Sequence, residues 1–329
     1  MARVSKKEVR KKRSKLKILG LIFLLAFLLI LSGIVFKISR SVAKSVWDGQ
    51  NQLNLAINPS RADQPVLIVG FNPEEKSLNI LSIPAGTFIE TIHGYGPCRV
   101  ESLYRLGELN KKGQELFRGS LETYLGVPIE AHALMINGDE KTEGIKSKEG
   151  IARFLKSLLK RGQTNLTKWD LLRLWLGFKN LRQDKINLID LGQTSASQEV
   201  DLPDGTKAKK IDTERLESIM NKFFVDKKIK QEDLTVAVLN GTNHAGLANQ
   251  AAALIKNIGS QIVAIGETEN KLKYKECQVM VEKKYKNSYT IRKLSYLFDC
   301  HWQGEPMTDQ RADVVLILGE SYWEKLALP

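Results

Sequence analysis

Two arginines beside a glycine-rich loop are the residues of this chain best suited to bind phosphate. Arg99 and Arg105 follow the loop at residues 94–97, and Thr87 precedes it with a hydroxyl group. Arginine presents a planar fork of donors that fits phosphate oxygens. These residue types favour binding of a phosphate or an anionic glycan. The alternative is that both arginines are solvated charges on a helix surface.

A second loop also carries residues that could bind an anion. Asn240, Gly241, Thr242 and Gly246 follow an apolar run and open a helical pattern, where backbone N–H groups can bind an anion. The loop matches neither a Walker loop nor G-x-G-x-x-G, so a tight turn is the simpler reading. The histidines are isolated from one another in the sequence and suggest no metal site: His93, His132, His244 and His301.

The uncharged apolar run at residues 18–36 is the feature of the sequence that best indicates where the protein is located. As a helix it would span about 28 Å, close to the thickness of a bilayer's hydrocarbon core. Residues 1–17 before it hold nine Lys or Arg and one Glu, whereas its other flank is less basic. The positive-inside rule therefore predicts a cell-membrane, single-pass signal-anchor with a cytoplasmic N-terminus and an extracytoplasmic remainder. A cleaved signal peptide is the competing reading, but its apolar region would usually be shorter.

The high net charge of +13 belongs mostly to this N-terminal region. Residues 1–44 contain twelve Lys or Arg and one acidic residue, which is +11 of the total and leaves +2 for the rest. We therefore expect contact with lipid rather than with nucleic acid. The cytoplasmic tail is also too short to form a helix-turn-helix, so any regulatory role would be indirect.

The three cysteines are too few and too widely spaced for a disulfide-built scaffold or a zinc site. A bond between Cys277 and Cys300 is conceivable if a strand near the first and an antiparallel helix ending near the second bring them together. Free, partly buried thiols are the favoured expectation.

The pattern of apolar residues predicts strands alternating with helices beyond the membrane segment. Residues 37–61 show no sustained period and are interpreted as a spacer. Residues 65–84 predict a hairpin, and 100–126 predict amphipathic helices. A helix is expected after Thr167, an N-cap with Asp170 at the third helical position. Residues 194–210 are interpreted as polar turns.

Trp169 and Trp175 could line a lipid or sugar groove, although aromatic residues at helical spacing are more often core.

The lysine-rich stretch at residues 226–233 is interpreted as a linker between two domains. Beyond it, strand-like runs near residues 234–242, 261–267, 277–284 and 312–319 alternate with helical patterns near 245–259 and 288–299. This arrangement predicts a small α/β domain at residues 234–320. Together with the preceding unit, at residues 62–225, the expected fold class is α/β in both domains.

Two blocks of sequence resemble a known family. Residues 72–109, which include Ser82-Ile83-Pro84, and the Leu125-Gly126-Val127 step resemble the catalytic domain of the LytR-CpsA-Psr family. Residues 236–259 and 312–319 look like the LytR C-terminal domain. The resemblance implies extracytoplasmic transfer of polyprenyl-pyrophosphate-linked glycopolymers to peptidoglycan, with Mg²⁺ and arginines managing the phosphate charge.

The chain departs from that family pattern at the residues that handle phosphate. Ala85 and Gly86 stand where the family usually has Arg and Asp, and Gln64 aligns with an earlier Asp, with Asp63 next to it. The arginine-rich segment of the family is also missing. The first domain therefore resembles a degenerate catalytic domain.

Two hypotheses follow. In the first, the protein binds or scaffolds lipid-linked glycopolymers, peptidoglycan or wall-synthesis proteins without the usual transferase residues. In the second, it is a divergent, Mg²⁺-dependent phosphotransferase in which Arg99, Arg105 and Asp63 replace the absent groups.

Overall fold

The computed structural model describes residues 27–33, 35–135, 145, 147–161, 163–201, 205, 207–269, 274–304 and 311–326. Residues 27–33 and 35–43 are helical (α1) and expose most of their apolar side chains, from Phe27 to Val42. Much of the predicted membrane span, residues 18–26 and 34, lies outside the described residues. Within the described ranges, the structure holds no helix of sufficient length and apolarity to cross a bilayer.

The first unit is built on a six-stranded mixed sheet with strand order β7-β6-β1-β2-β3-β8. The strands are β1 (Leu53–Asn58), β2 (Val66–Asn72), β3 (Ser77–Ile83), β6 (Ala131–Leu134), β7 (Gln163–Thr164) and β8 (Ile186–Asp190). The predicted hairpin is confirmed, because β2 and β3 pair antiparallel from Val66–Ile83 to Asn72–Ser77. A short ribbon, β4 (Phe88–Glu90) and β5 (Pro97–Arg99), follows the sheet.

Helices cover both faces of this sheet. They are α2 (Leu103–Glu108), α3 (Gly113–Leu125), α4 (Lys148–Arg161), α5 (Lys168–Lys179) and α6 (Thr213–Phe223). One apolar core lies between the sheet and α4 and α5, and the other between the sheet and α3 and α6. The predicted cap of α5 is confirmed: the Thr167 side chain accepts from the backbone N–H of Asp170, and the Asp170 carboxylate accepts from that of Thr167.

Two expectations about connecting segments are wrong. The expected spacer contains β1, an interior strand of the sheet, whose asparagine Asn54 donates a hydrogen bond from its side chain to the Pro128 carbonyl over 2.9 Å. The expected polar turns at 194–210 form a hairpin of β9 (Ser197–Asp201) and β10 (Lys207–Ile211). The stretch predicted as the linker between the units stays a prediction, and it contains α7 (Lys227–Glu232), capped by Asp226.

The second unit is a five-stranded sheet with order β12-β11-β15-β13-β14. Its elements are β11 (Thr235–Asn240), α8 (Leu247–Asn257), β12 (Gln261–Glu267), β13 (Cys277–Val281), α9 (Tyr289–Phe298), β14 (Cys300–Gly304), β15 (Val314–Leu318) and α10 (Glu320–Leu326). The core of this unit lies between the sheet and α8 and α9. The predicted alternation of strands and helices is confirmed, although β14 and α10 were not foreseen.

Cys277 and Cys300 form a disulfide, so the expectation of free thiols is wrong. The physical reason is register: β13 and β14 pair in parallel with these two residues directly opposite each other, which brings their Cα atoms to 4.4 Å. The helix between them, α9, returns the chain to the start of the neighbouring strand. Cys98 is free and partly buried.

Candidate functional site

The turn after β3 offers little to a phosphate. Thr87 is fully buried, and its hydroxyl donates a 2.7 Å hydrogen bond to the Pro84 carbonyl. The Gly86 N–H donates over 3.0 Å to the carboxylate of Glu101, which is itself buried. The Glu101 carboxylate therefore already accepts the hydrogen bond from the backbone N–H that an anion would need. Its negative charge would also repel phosphate.

The structure does not bring the other predicted site residues together. Arg99 lies at the end of β5 with its guanidinium carbon 5.7 Å from the centre of the Phe88 ring. Arg105 lies exposed in the last turn of α2. Asp63 is exposed on a loop before β2, where both of its oxygens accept hydrogen bonds from Arg61 at 2.9 and 3.0 Å. No bond joins Asp63, Arg99 and Arg105 to one another in the described part of the chain.

The described residues proposed for the phosphate site do not fit a magnesium site. Within the ranges that the structure describes, no group of three or more His, Cys, Asp or Glu side chains could hold a metal ion. Asp63, the carboxylate nearest to the family's usual position, is already paired with Arg61. Mg²⁺ needs oxygen ligands, commonly carboxylates, and the predicted residues do not converge on any such arrangement.

The loop after β11 is a turn closed by its own side chains. The side-chain oxygen Oδ1 of Asn240 accepts from the N–H and hydroxyl of Thr242 at 3.0 and 2.8 Å, and its side-chain amide donates to the His244 carbonyl. His244 pairs with Glu320 and stacks on Trp323. These contacts support the interpretation of this loop as a tight turn.

An apolar crevice lies between the sheet and helices α4 and α5. All of its lining side chains are apolar: Leu53, Leu55, Ile57, Val69, Phe71, Ile145, Ile151, Phe154, Leu155, Leu174 and Phe178. Its volume is about 10 Å³. By the same measure one water molecule needs roughly 10–15 Å³, so the crevice leaves no space for a larger ligand in this structure.

A larger cavity of about 510 Å³ lies where the end of α1, the first unit and α9 meet. We call it the junction cleft. It is lined by Val42, Ser45, Val46, Trp47, Asp48, Asn51, Gln52, Glu130, Arg173, Tyr289, Arg292, Lys293 and Tyr296. Three aromatic side chains and three basic ones therefore face one opening, and two of the lining residues are acidic.

The basic groups of the junction cleft differ in how they are paired. Lys293 and Glu130 form a buried ion pair at 2.6 Å. Arg173 donates to the Trp47 carbonyl over 2.7 Å, and Arg292 donates to the Asn287 carbonyl over 2.9 Å. Within the described residues neither guanidinium has a carboxylate partner. Glu130 is paired with Lys293 and Asp48 is the other acidic residue of the lining, so the three basic groups leave the cleft one net positive charge, which suits a phosphate or another anionic group.

The end of α1 is fixed to the same region. The Asp170 carboxylate, fully buried at the start of α5, accepts hydrogen bonds from the Ser45 hydroxyl and from the backbone N–H groups of Val46 and Trp47. The Trp47 indole is buried and donates to the Asn51 carbonyl. The junction cleft thus opens directly beside the foot of the exposed apolar helix.

Comparison with protein families identifies the second unit. Residues 233–322 match the family described as "LytR cell envelope-related transcriptional attenuator". The resemblance of the C-terminal block to the LytR C-terminal domain is thereby confirmed. No curated protein matches the chain.

Several solved structures are similar to this chain at low identity and low TM-score. The transcriptional regulator YvhJ of Bacillus subtilis is 13% identical with a TM-score of 0.41, covering 52% of this chain and 94% of its own. The LytR-CPS2A-Psr family protein YwtF (TagT), with bound octaprenyl pyrophosphate, is 15% identical with a TM-score of 0.39, covering 55% and 93%. Lin1025 of Listeria innocua is 14% identical with a TM-score of 0.39, covering 53% and 97%.

The sequence did not indicate the residues of the junction cleft. Arg173, Arg292 and Tyr296 lie on two helices far apart in the chain, and each helix shows only ordinary amphipathic spacing. Glu101 was also missed, although its place after the glycine loop could have suggested a contact with the turn after β3. Trp175, for which a core or groove position was expected, is 47% exposed.

Proposed function

We propose, from the premise that residues 233–322 form a domain of the LytR C-terminal family, that this chain is a membrane-anchored, extracytoplasmic protein of cell-envelope assembly. It binds or scaffolds polyprenyl-linked glycopolymers or the enzymes that handle them, and it does not transfer them. The family description of the second unit, the family resemblance of residues 62–225, and the basic, apolar N-terminus support this proposal.

The groups at the turn after β3 distinguish a binding role from a catalytic one. Phosphoryl transfer requires fixed positive charge and usually a metal held by carboxylates, because little else stabilises the charge of the transition state. At the turn after β3, Ala85 and Gly86 supply neither, and Glu101 takes the Gly86 N–H. The remaining candidates, Arg99, Arg105 and Asp63, lie on separate elements. A binding role needs none of these groups to converge.

The junction cleft is the proposed binding site. The guanidiniums of Arg173 and Arg292 suit the phosphates of a lipid-linked glycan, and the exposed ring of Tyr296 offers a face to sugar or prenyl groups. The cleft also lies at the foot of α1. A lipid-linked ligand whose chain stays in the bilayer would present its phosphates at this level.

The proposal is tested by calorimetric titration of the full chain in nanodiscs with a short-chain polyprenyl pyrophosphate, followed by a phosphate-release assay. We expect binding without phosphate release. Arg292→Ala should weaken binding about 10- to 100-fold, the effect of losing a charge-assisted hydrogen bond worth roughly 1.5–3 kcal/mol. Arg99→Ala is the matched control and should leave the affinity unchanged. Binding that is indifferent to Arg292→Ala would reject the junction cleft as the site.

The second candidate is a divergent phosphotransferase that uses Arg99 and Arg105. The observation in its favour is that, in the described part of the chain, neither arginine has a carboxylate partner. Under this alternative the titration gives Mg²⁺-dependent phosphate release that disappears in Arg99→Ala. That result would overturn the binding proposal.

A further inference from the structure

Helix α5 presents an apolar stripe to solvent. Leu172, Trp175 and Leu176 are 43, 47 and 50% exposed, although the opposite side of the helix packs Leu171, Leu174 and Phe178 into the core. Helix α4, which packs against α5, adds the exposed Leu159. Exposed apolar side chains at helical spacing, with a tryptophan among them, need an explanation.

The charges of α5 suit an anionic surface. Lys168 and Lys179 are exposed and lie at the two ends of the apolar stripe. Lys168 is four residues before Leu172 and Lys179 is four residues after Trp175, so both lysines share the helical face of the stripe. The Lys179 ammonium is 5.9 Å from the centre of the Trp175 ring. The one carboxylate of the helix, Asp170, is buried and faces the end of α1. The exposed face therefore combines apolar and basic residues without an acidic one.

The position of α5 points to the same surface. Its first two turns hold the chain that leaves α1, through Asp170 and through the 2.7 Å bond from Arg173 to the Trp47 carbonyl. The apolar side chains of α1 remain exposed up to Val42, directly before this contact. The exposed amphipathic helix α5 is thus attached to the C-terminal end of the exposed apolar helix α1.

We infer that the face of α5 formed by Lys168, Leu172, Trp175, Leu176 and Lys179 docks onto the surface of an anionic lipid bilayer. Leucine and tryptophan enter the boundary between headgroups and acyl chains, and the lysines contact lipid phosphates. This inference rests on the proposed membrane anchoring and adds a second contact with the same membrane. It also orients the first unit on the bilayer.

A second copy of the chain fits this face less well. In an antiparallel pairing of two α5 helices, Lys168 of one copy would meet Lys179 of the other. In a parallel pairing, each lysine would meet its own equivalent. Both arrangements place like charges together at the ends of the stripe, which disfavours self-association and leaves the bilayer as the occupant.

The test uses the full chain in nanodiscs that contain phosphatidylglycerol, with and without brominated acyl chains that quench tryptophan at close range. Five tryptophans contribute to the emission, so Trp175 is isolated by comparing the wild-type chain with Trp175→Phe. Trp302→Phe, at an edge strand of the second unit and 38% exposed, is the matched control. We expect Trp175→Phe to remove a quenched component that Trp302→Phe retains. Lys168→Gln with Lys179→Gln should reduce the quenching.

The outcomes separate this inference from the proposed function. If the chain is retained in the discs but Trp175 is not quenched, docking of α5 is refuted while the anchor stands. If the brominated lipids do not quench Trp175 and the chain is dimeric in the disc, a second copy covers this face of α5. That result also refutes the inference. If the chain is not retained in the discs, the proposed anchoring itself fails.

Discussion

His132 shows how burial changes the chemistry of a single side chain. It lies in β6, buried, and in the described part of the structure neither ring nitrogen has a hydrogen-bond partner. Desolvation, with a smaller contribution from the positive charge of Arg118, lowers the pKa of His132 to about 4. The ring is therefore neutral in the folded protein at pH values where the unfolded chain would be protonated.

This shift predicts a pH dependence of stability. Because the folded-state pKa lies below the unfolded value, the contribution is present above about pH 6.5 and is lost as the pH falls towards 4. The loss should approach roughly 3 kcal/mol of unfolding free energy. Urea titrations at pH 7, 6, 5 and 4 would measure it. In His132→Phe the slope between pH 6.5 and 4 should become shallower, and an unchanged slope would contradict this assignment.

At this scale the sequence predicted residue types better than residue roles. Arginine and threonine beside a glycine loop were sensible phosphate candidates, but the role of Thr87 depends on its bond to the Pro84 carbonyl and that of Gly86 on the bond to Glu101. Which groups form these hydrogen bonds depends on the local path of the backbone. Neither composition nor spacing specifies that path.

The disulfide between β13 and β14 gives a prediction at the scale of elements. It closes a chain segment of 23 residues. Constraining a loop of this length in the unfolded chain is worth about 3 kcal/mol. Reduction should therefore lower the thermal midpoint of unfolding measured by circular dichroism. The Cys98→Ala variant should show the same response to reductant, because Cys98 is not in the bond. A midpoint that reduction does not move would count against the bond.

Elements were predicted well where local pattern decides them. The hairpin of β2 and β3 and the Thr167–Asp170 cap carry their own sequence signals. Strand β1 does not, since its polar Asn54 is satisfied by Pro128, far along the chain, and all six of its residues are buried. The hairpin of β9 and β10 is so polar and exposed that its residues resemble a loop.

The two units of the whole molecule are joined by a buried ion pair and by side-chain to backbone bonds. Glu130 and Lys293 have side chains only 6 and 11% exposed, and Asn257 of α8 donates to the Gly126 carbonyl over 2.9 Å. Ile92 and Leu116 of the first unit also pack into the core of the second. The predicted linker at 226–233 therefore separates two units that share contacts.

Breaking the Glu130–Lys293 pair should destabilise the whole chain. Lys293→Met leaves the Glu130 carboxylate buried without its partner, which costs about 3–5 kcal/mol of unfolding free energy. Lys256→Met is the matched control, because its pair with Glu217 is exposed and should contribute less than about 1 kcal/mol. Guanidinium unfolding curves compare the two. Equal effects would mean that the buried pair does not hold the units together.

Under the proposed membrane anchoring, the short connection at residues 44–52 sets how far the two units can lie from the bilayer. A flexible linker would let the domains sample a volume that grows with linker length. Here Asp170 holds the N–H groups of Val46 and Trp47, and the Trp47 indole is buried. These contacts hold the start of the first unit directly at the end of α1. Under the proposed function, a glycopolymer would therefore have to approach the bilayer to reach the junction cleft.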